Sequence, residues 1–237
     1  QRQLRRSLEQ FHGHPNPAAV APALEQLGHP DRHIRYAARL ALEAQTVTEW
    51  QKQVLALSDP TARITGLIGL ARQGDPGSQG ELLSALLELD FGQLSSDNKL
   101  AMLRAYALIF IRQGKPPIDQ VSRVLAQLDD KFPAKDALLN NELSRVLVYL
   151  DSPTVITKTL ALMQQDQGEI SNDLGDLLAR NQGYGGTIAK MLANHPDLQK
   201  IHYALVLRNM RYGWTLDQRK VYFGWFNDAL KKNGGAS

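Results

Sequence analysis

The chain of 237 residues contains no cysteine. Disulfides, thiolate-held zinc, iron–sulfur clusters, a C-x-x-C-H haem attachment and a thiol nucleophile are therefore excluded within it. A cysteine-free composition fits a reducing or an oxidising compartment equally well. Long hydrophobic runs are missing too: no stretch approaches the ~18 apolar residues of a membrane-spanning helix. There is no N-x-S/T glycan acceptor and no Gly-x-Ser-x-Gly nucleophile elbow. Strand signals are scarce, with no sustained apolar–polar alternation and no Asn-Gly turn between two such runs. The chain opens on Gln1 without a signal-like segment and closes on Gly234-Gly235-Ala236-Ser237, so a piece of a longer protein is expected.

What is present is apolar residues, at 43%, enough to bury a substantial core. Length alone admits one elongated array or two compact domains. The net charge of +3 is modest and does not argue for nucleic acid. Its distribution is uneven. Residues 1–40 carry six Lys or Arg against three acids, 41–199 carry fourteen against nineteen, and 200–237 carry seven against two. Both ends are basic and the middle is acidic. An acidic middle opposes a basic groove for DNA.

One pattern recurs. Asp31, Ile34, Arg35, Ala38, Ala41 and Leu42 are matched twenty-eight residues on by Asp59, Ala62, Arg63, Gly66, Gly69 and Leu70. Small residues three apart let a second helix press close, and an Arg follows the first apolar position each time. A second repeat signal pairs Ala71-Arg72-Gln73-Gly74-Asp75-Pro76 with Ile111-Arg112-Gln113-Gly114-Lys115-Pro116, forty residues apart. Periods of this size belong to stacked helix hairpins.

The periodicity predicts helices over 17–27, 31–44, 48–57, 61–73, 99–113, 118–128, 135–150, 155–164, 172–180, 187–193, 197–210 and 218–232, and one helix carrying Leu82, Leu83, Leu86 and Leu87. Asp31, Thr48, Ser96 or Asp97, and Thr215 or Asp217 are the expected caps. In 99–113 two stripes are apolar: Leu100, Leu103, Ala107, Phe110 and Ile111 on one side, Met102, Tyr106 and Ile109 on the other. Such a helix lies between neighbours. A polar loop over 165–171 and a glycine-rich break over 182–186 interrupt the later part. The expected fold is all-α, a solenoid of stacked antiparallel helix hairpins, with regular repeats over 1–153 and a less regular, continuous C-terminal part and cap over 154–237.

The segment from Asp31 through Ile34, Arg35, Ala38 and Leu42 resembles the second helix of a HEAT repeat. The stretches Asn140-Asn141-Glu142-Leu143-Ser144-Arg145, and Ile201-His202-Tyr203 through Gly213-Trp214-Thr215 to Tyr222-Phe223-Gly224-Trp225-Phe226, resemble the HEAT-like helical-repeat region of large exported bacterial proteins. Such regions are often joined to a sugar-dehydrogenase-like propeller and a c-type cytochrome. The resemblance implies an extracytoplasmic, connecting role. Neither a haem motif nor a propeller is present, so no redox activity carries over.

No constellation argues for catalysis, a cofactor or a metal. His29 and His33 have i, i+4 spacing but lack the three or four ligands of a site; His12 and His14 read as solvated loop residues. Glu142 and Arg145 read as an i, i+3 ion pair, and Asp129/Asp130 as a solvated turn. The glycine-rich break lacks a phosphate loop's G-K-[ST] ending. Arg35 and Arg63 read as hydrogen-bonding or charge-pairing repeat residues. The informative cluster is C-terminal, where Tyr203, Tyr212, Trp214, Tyr222, Trp225 and Phe226 stand among Arg208, Arg211, Arg219 and Lys220. Tyr222, Trp225, Phe226 and Ala229 share one helical face and read as core or capping interface. Arg208, Arg211, Trp214 and Lys220 are the candidates for touching an acidic or glycan partner.

The leading expectation is a monomeric, non-catalytic scaffold or protein-interaction module that binds a protein or neighbouring domains of its own chain. A linking segment of a sugar-oxidising or electron-transfer enzyme is the first alternative. A nucleic-acid-binding HEAT-like protein is the second.

Overall fold

The structure, a computed structural model, describes residues 1–73, 75–165 and 197–231. The helices expected over 172–180 and 187–193, the glycine-rich break and most of the 165–171 loop lie outside the described residues. The fold is all-α as expected, and no strand occurs among the described residues. No described helix is long and apolar enough to cross a membrane. Two compact units divide at Lys131/Phe132, whereas the sequence loses its regularity after 153.

The first unit holds α1 (Arg2–Glu9), α2 (Val20–Gln26), α3 (Arg32–Glu43), α4 (Gln51–Leu55), α5 (Pro60–Gln73), α6 (Gln79–Leu87), α7 (Ser96–Gln113) and α8 (Ile118–Leu128). Helix α3 packs on α1, α2 and α5; α5 packs on α4, α6 and α7; α8 packs on α6. The small residues explain the closeness. Ala38 and Ala41 have no exposed surface. A Cβ on Gly66, the counterpart of Ala38, would stand 2.6 Å from Val54 Cγ1 on α4.

The two repeat arginines both donate to main-chain carbonyls that precede their own helices. A helix end leaves carbonyls without intrahelical partners. Arg35 donates to the carbonyls of His29 and Pro30, at 2.6 and 2.9 Å, just past the end of α2. Arg63 donates to the Leu55 carbonyl that ends α4, at 3.1 Å, and also pairs with Glu88. Glutamines at the helix ends add a second series of links. Gln45 donates to the carbonyls of Ala41 and His14, Gln73 to that of Glu43, and Gln113 to that of Asp75.

Helix α7 is buried on both sides, although Ile111 of the first stripe is 75% exposed. Its Tyr106 donates to Gln127 Oε1 at 2.7 Å, and Gln127 Nε2 donates to the Leu89 carbonyl at 2.9 Å. Burial raises the Tyr106 pKa, so the phenol stays neutral and keeps its proton for that bond.

Helix α1 was not expected from the sequence. His12 beyond it is not merely solvated: its Nε2 lies 2.8 Å from the Ala37 carbonyl oxygen on α3. The 48–57 helix is also shorter than expected. A 3₁₀ turn spans Val47–Glu49, and the backbone at Trp50 leaves the helical region (φ −134°, ψ −13°) as its indole enters the core with no exposed surface.

The second unit holds α9 (Ala137–Tyr149), α10 (Val155–Gln164), α11 (Leu198–Leu207) and α12 (Leu216–Ala229). Helix α11 packs on α9 and α10, and α12 packs on α10. Asp136 caps α9 by accepting from the Leu139 N–H at 2.7 Å. The helix ends in a Schellman arrangement. Asp151 takes φ 54°, its N–H reaches the Val148 carbonyl, and the Ser152 N–H reaches that of Leu147.

Candidate functional site

The C-terminal cluster is organised by α11, the turn after it and α12. Asp197 caps α11 by accepting from the N–H groups of Gln199 and Lys200. Gly213 sits in the turn at φ 81°, a region that costs side-chain-bearing residues steric strain and glycine none. Thr215 caps α12 in a reciprocal box with Gln218: the threonine hydroxyl accepts from the Gln218 N–H, and the Gln218 side chain accepts from the Thr215 N–H. These caps set where the chain leaves one helix and enters the next.

Between the two helices lies a cavity of about 490 Å³, within the range of binding clefts. Leu207, Met210, Trp214 and Tyr222 contribute to its lining, with Phe223 and Phe226 from α12. Two of its aromatics are held by their polar ends. Trp214 Nε1 donates to the Met210 carbonyl at 2.9 Å, and the Tyr222 hydroxyl donates to the Ala204 carbonyl at 2.8 Å. Their rings lie 5.1 Å apart, centre to centre, and Tyr222 and Phe226 meet edge to face at 5.2 Å. Burial raises the Tyr222 pKa, with Arg208 opposing it, so the hydroxyl remains a donor.

Arg208, Arg211 and Arg219 line the same cavity. Among the described residues none of the three makes an ion pair, whereas Lys220 is 3.3 Å from Asp217 and Lys231 is 2.8 Å from Asp228. Three of the four residues singled out in the sequence, Arg208, Arg211 and Trp214, thus meet in one concavity. Lys220 lies outside it, and Arg219 stands there instead. The helical register carries that distinction: Arg219 is three, four and seven residues before Tyr222, Phe223 and Phe226, the spacing of one face. Tyr203 is buried, Tyr212 is 77% exposed, and Tyr222 is the core member of the α12 face, with Phe226 still 38% exposed.

No protein-family model, curated protein or solved structure matches the chain. The chemistry of the cavity therefore rests on its own residues: a fixed aromatic floor, and guanidinium groups whose fork of donors suits carboxylates and phosphates.

A second cluster has catalytic atom types. Ser144 Oγ and His202 Nε2 are 3.3 Å apart. The serine has no exposed surface, and its hydroxyl donates to the Asn141 carbonyl one turn back at 2.9 Å. Gln199 joins the same group by donating to Asn141 Oδ1. Burial, and secondarily Arg145, lowers the His202 pKa, which favours the neutral ring. The network joins α11 to α9 through a serine with no exposed surface. Glu142 and Arg145 form the expected ion pair at 2.6 Å. His29 Nδ1 accepts the Asp31 N–H at 2.9 Å, and His33 is exposed. Among the described residues no group of three or more His, Asp or Glu could hold a metal ion.

Proposed function

We propose that the chain is a non-catalytic helical-repeat module, a HEAT-like α-solenoid of stacked antiparallel hairpins, that binds a protein partner or neighbouring domains of its own chain. The observation that carries this reading is the repeated role of Arg35 and Arg63. Equivalent arginines each donate to main-chain carbonyls of the segment that precedes their own helix, Arg35 in the turn after α2 and Arg63 at the last residue of α4. The series of α1–α3, α3–α5 and α5–α7 contacts in the first unit supports it, because stacked repeats contact their neighbours. Function then follows from shape and charge complementarity, with no covalent step. On the resemblance stated above, the compartment is extracytoplasmic, and on the recurring helical pattern the chain is a monomer.

Photo-crosslinking in the native host tests this. A benzophenone side chain replaces exposed Tyr36 in the first unit or Tyr212 in the second. A discrete, repeatedly recovered protein adduct, or a link to a flanking domain, is expected from at least one position. Indiscriminate labelling from both would overturn the interaction reading.

A further inference from the structure

We propose that the cavity between α11 and α12 binds a short acidic peptide segment of a partner protein, its carboxylates meeting Arg208, Arg211 and Arg219 and a bulky apolar side chain seated on Trp214 and Phe226. The proposal rests on the protein-interaction reading above and names the partner's chemistry at one site.

The charge decides the sign of the ligand. Three guanidinium groups face one cavity and make no ion pair among the described residues, while nearby Lys220 and Lys231 are matched by acids. The number of cations decides its multiplicity. Each guanidinium offers five N–H donors, so a single carboxylate, with two oxygens, cannot satisfy three of them. Several carboxylates on one backbone can. The floor decides the remainder. Trp214 and Tyr222 have committed their polar atoms to backbone carbonyls, so what they offer is ring surface. Phe223 is 60% exposed and Phe226 38% exposed beside them. Covering such rings with an apolar side chain removes apolar area from water, as at the aromatic and arginine hot spots of protein interfaces. A nucleic-acid strand is disfavoured, because it needs a basic groove that tracks a backbone, and Lys220 on α12 and Lys231 just past its end are already paired.

The test is selection of random displayed short peptides on the full chain, followed by affinity measurement by fluorescence anisotropy. The enriched peptides are expected to place Asp or Glu on both sides of a Phe, Tyr, Trp or Leu. Arg208→Glu and Arg219→Glu should each weaken an enriched peptide by about tenfold or more. Lys220→Glu, outside the cavity, should leave its affinity within about twofold. Both arginines are exposed, and circular dichroism of each variant verifies that the fold is retained. Acidic peptides that weaken equally with Lys220→Glu would reduce the effect to general charge and overturn the site. Enriched peptides indifferent to both arginine reversals would overturn the site and leave the interaction reading standing. Selection of no acidic–apolar motif overturns the proposal, as does arginine-dependent binding of oligothymidylate or of laurate in its place.

Discussion

Replacing Gly66 with alanine tests the close approach of α4 and α5 more sharply than any larger change. An added Cβ would stand 2.6 and 2.9 Å from the two γ-methyls of Val54 and 3.3 Å from Leu27 Cδ1. Val54 has no exposed surface, and a β-branched side chain has few rotamers in which to escape. Overpacking a core by one methyl costs ~1–3 kcal/mol. Alanine in a helix interior offsets about 1 kcal/mol of that relative to glycine. The net expectation is a loss of ~0–2 kcal/mol, or a fall in Tm of up to roughly 8 °C for a chain of this size. In a Val54→Ala background the same change meets no γ-methyl, so it should stabilise by about 1 kcal/mol or more. Urea denaturation of the four proteins, followed by far-UV circular dichroism, completes the double-mutant cycle. Stabilisation by Gly66→Ala in the parent chain, or the same effect in both backgrounds, would refute the close contact.

Three other outcomes follow from the packing and the hydrogen bonds. Ala38→Leu, at a site with no exposed surface, should cost ~1–3 kcal/mol in denaturant unfolding. Tyr106→Phe should cost ~1–2 kcal/mol by leaving Gln127 Oε1 without its donor, whereas a second change, Gln127→Leu, should then add less than it does alone. The native His202 pKa lies below 6.5, so its contribution is fully present above pH 6.5 and is lost as the pH falls, because the unfolded chain takes the proton first. His202→Gln should flatten the pH dependence of stability below 6.5, read from urea midpoints across that range.

Much of the helical layout was legible because its signals are local. The 118–128 and 155–164 boundaries follow from periodicity bounded by Pro117 and Pro153, and they match the helices found. Thr215 was one of two possible caps, and the geometry selects it through its bond with Gln218. What the sequence concealed depends on distant partners. Helix α1 has no strong start signal and is held by packing on α3. The short α4 reflects where the Trp50 indole is buried rather than any local propensity. Trp214 and Arg211 were legible as a basic, aromatic turn, but the concavity requires the return of α12. The choice of Arg219 over Lys220 needed the register of that helix against Tyr222.

Small-angle X-ray scattering of the whole chain tests the stacked-repeat account most directly. A compact domain of 237 residues has a radius of gyration near 18 Å. A solenoid of stacked hairpins predicts a monomer with a clearly larger radius and an asymmetric pair-distance distribution with a long tail. A monomer near 18 Å with a symmetric, bell-shaped distribution would contradict it.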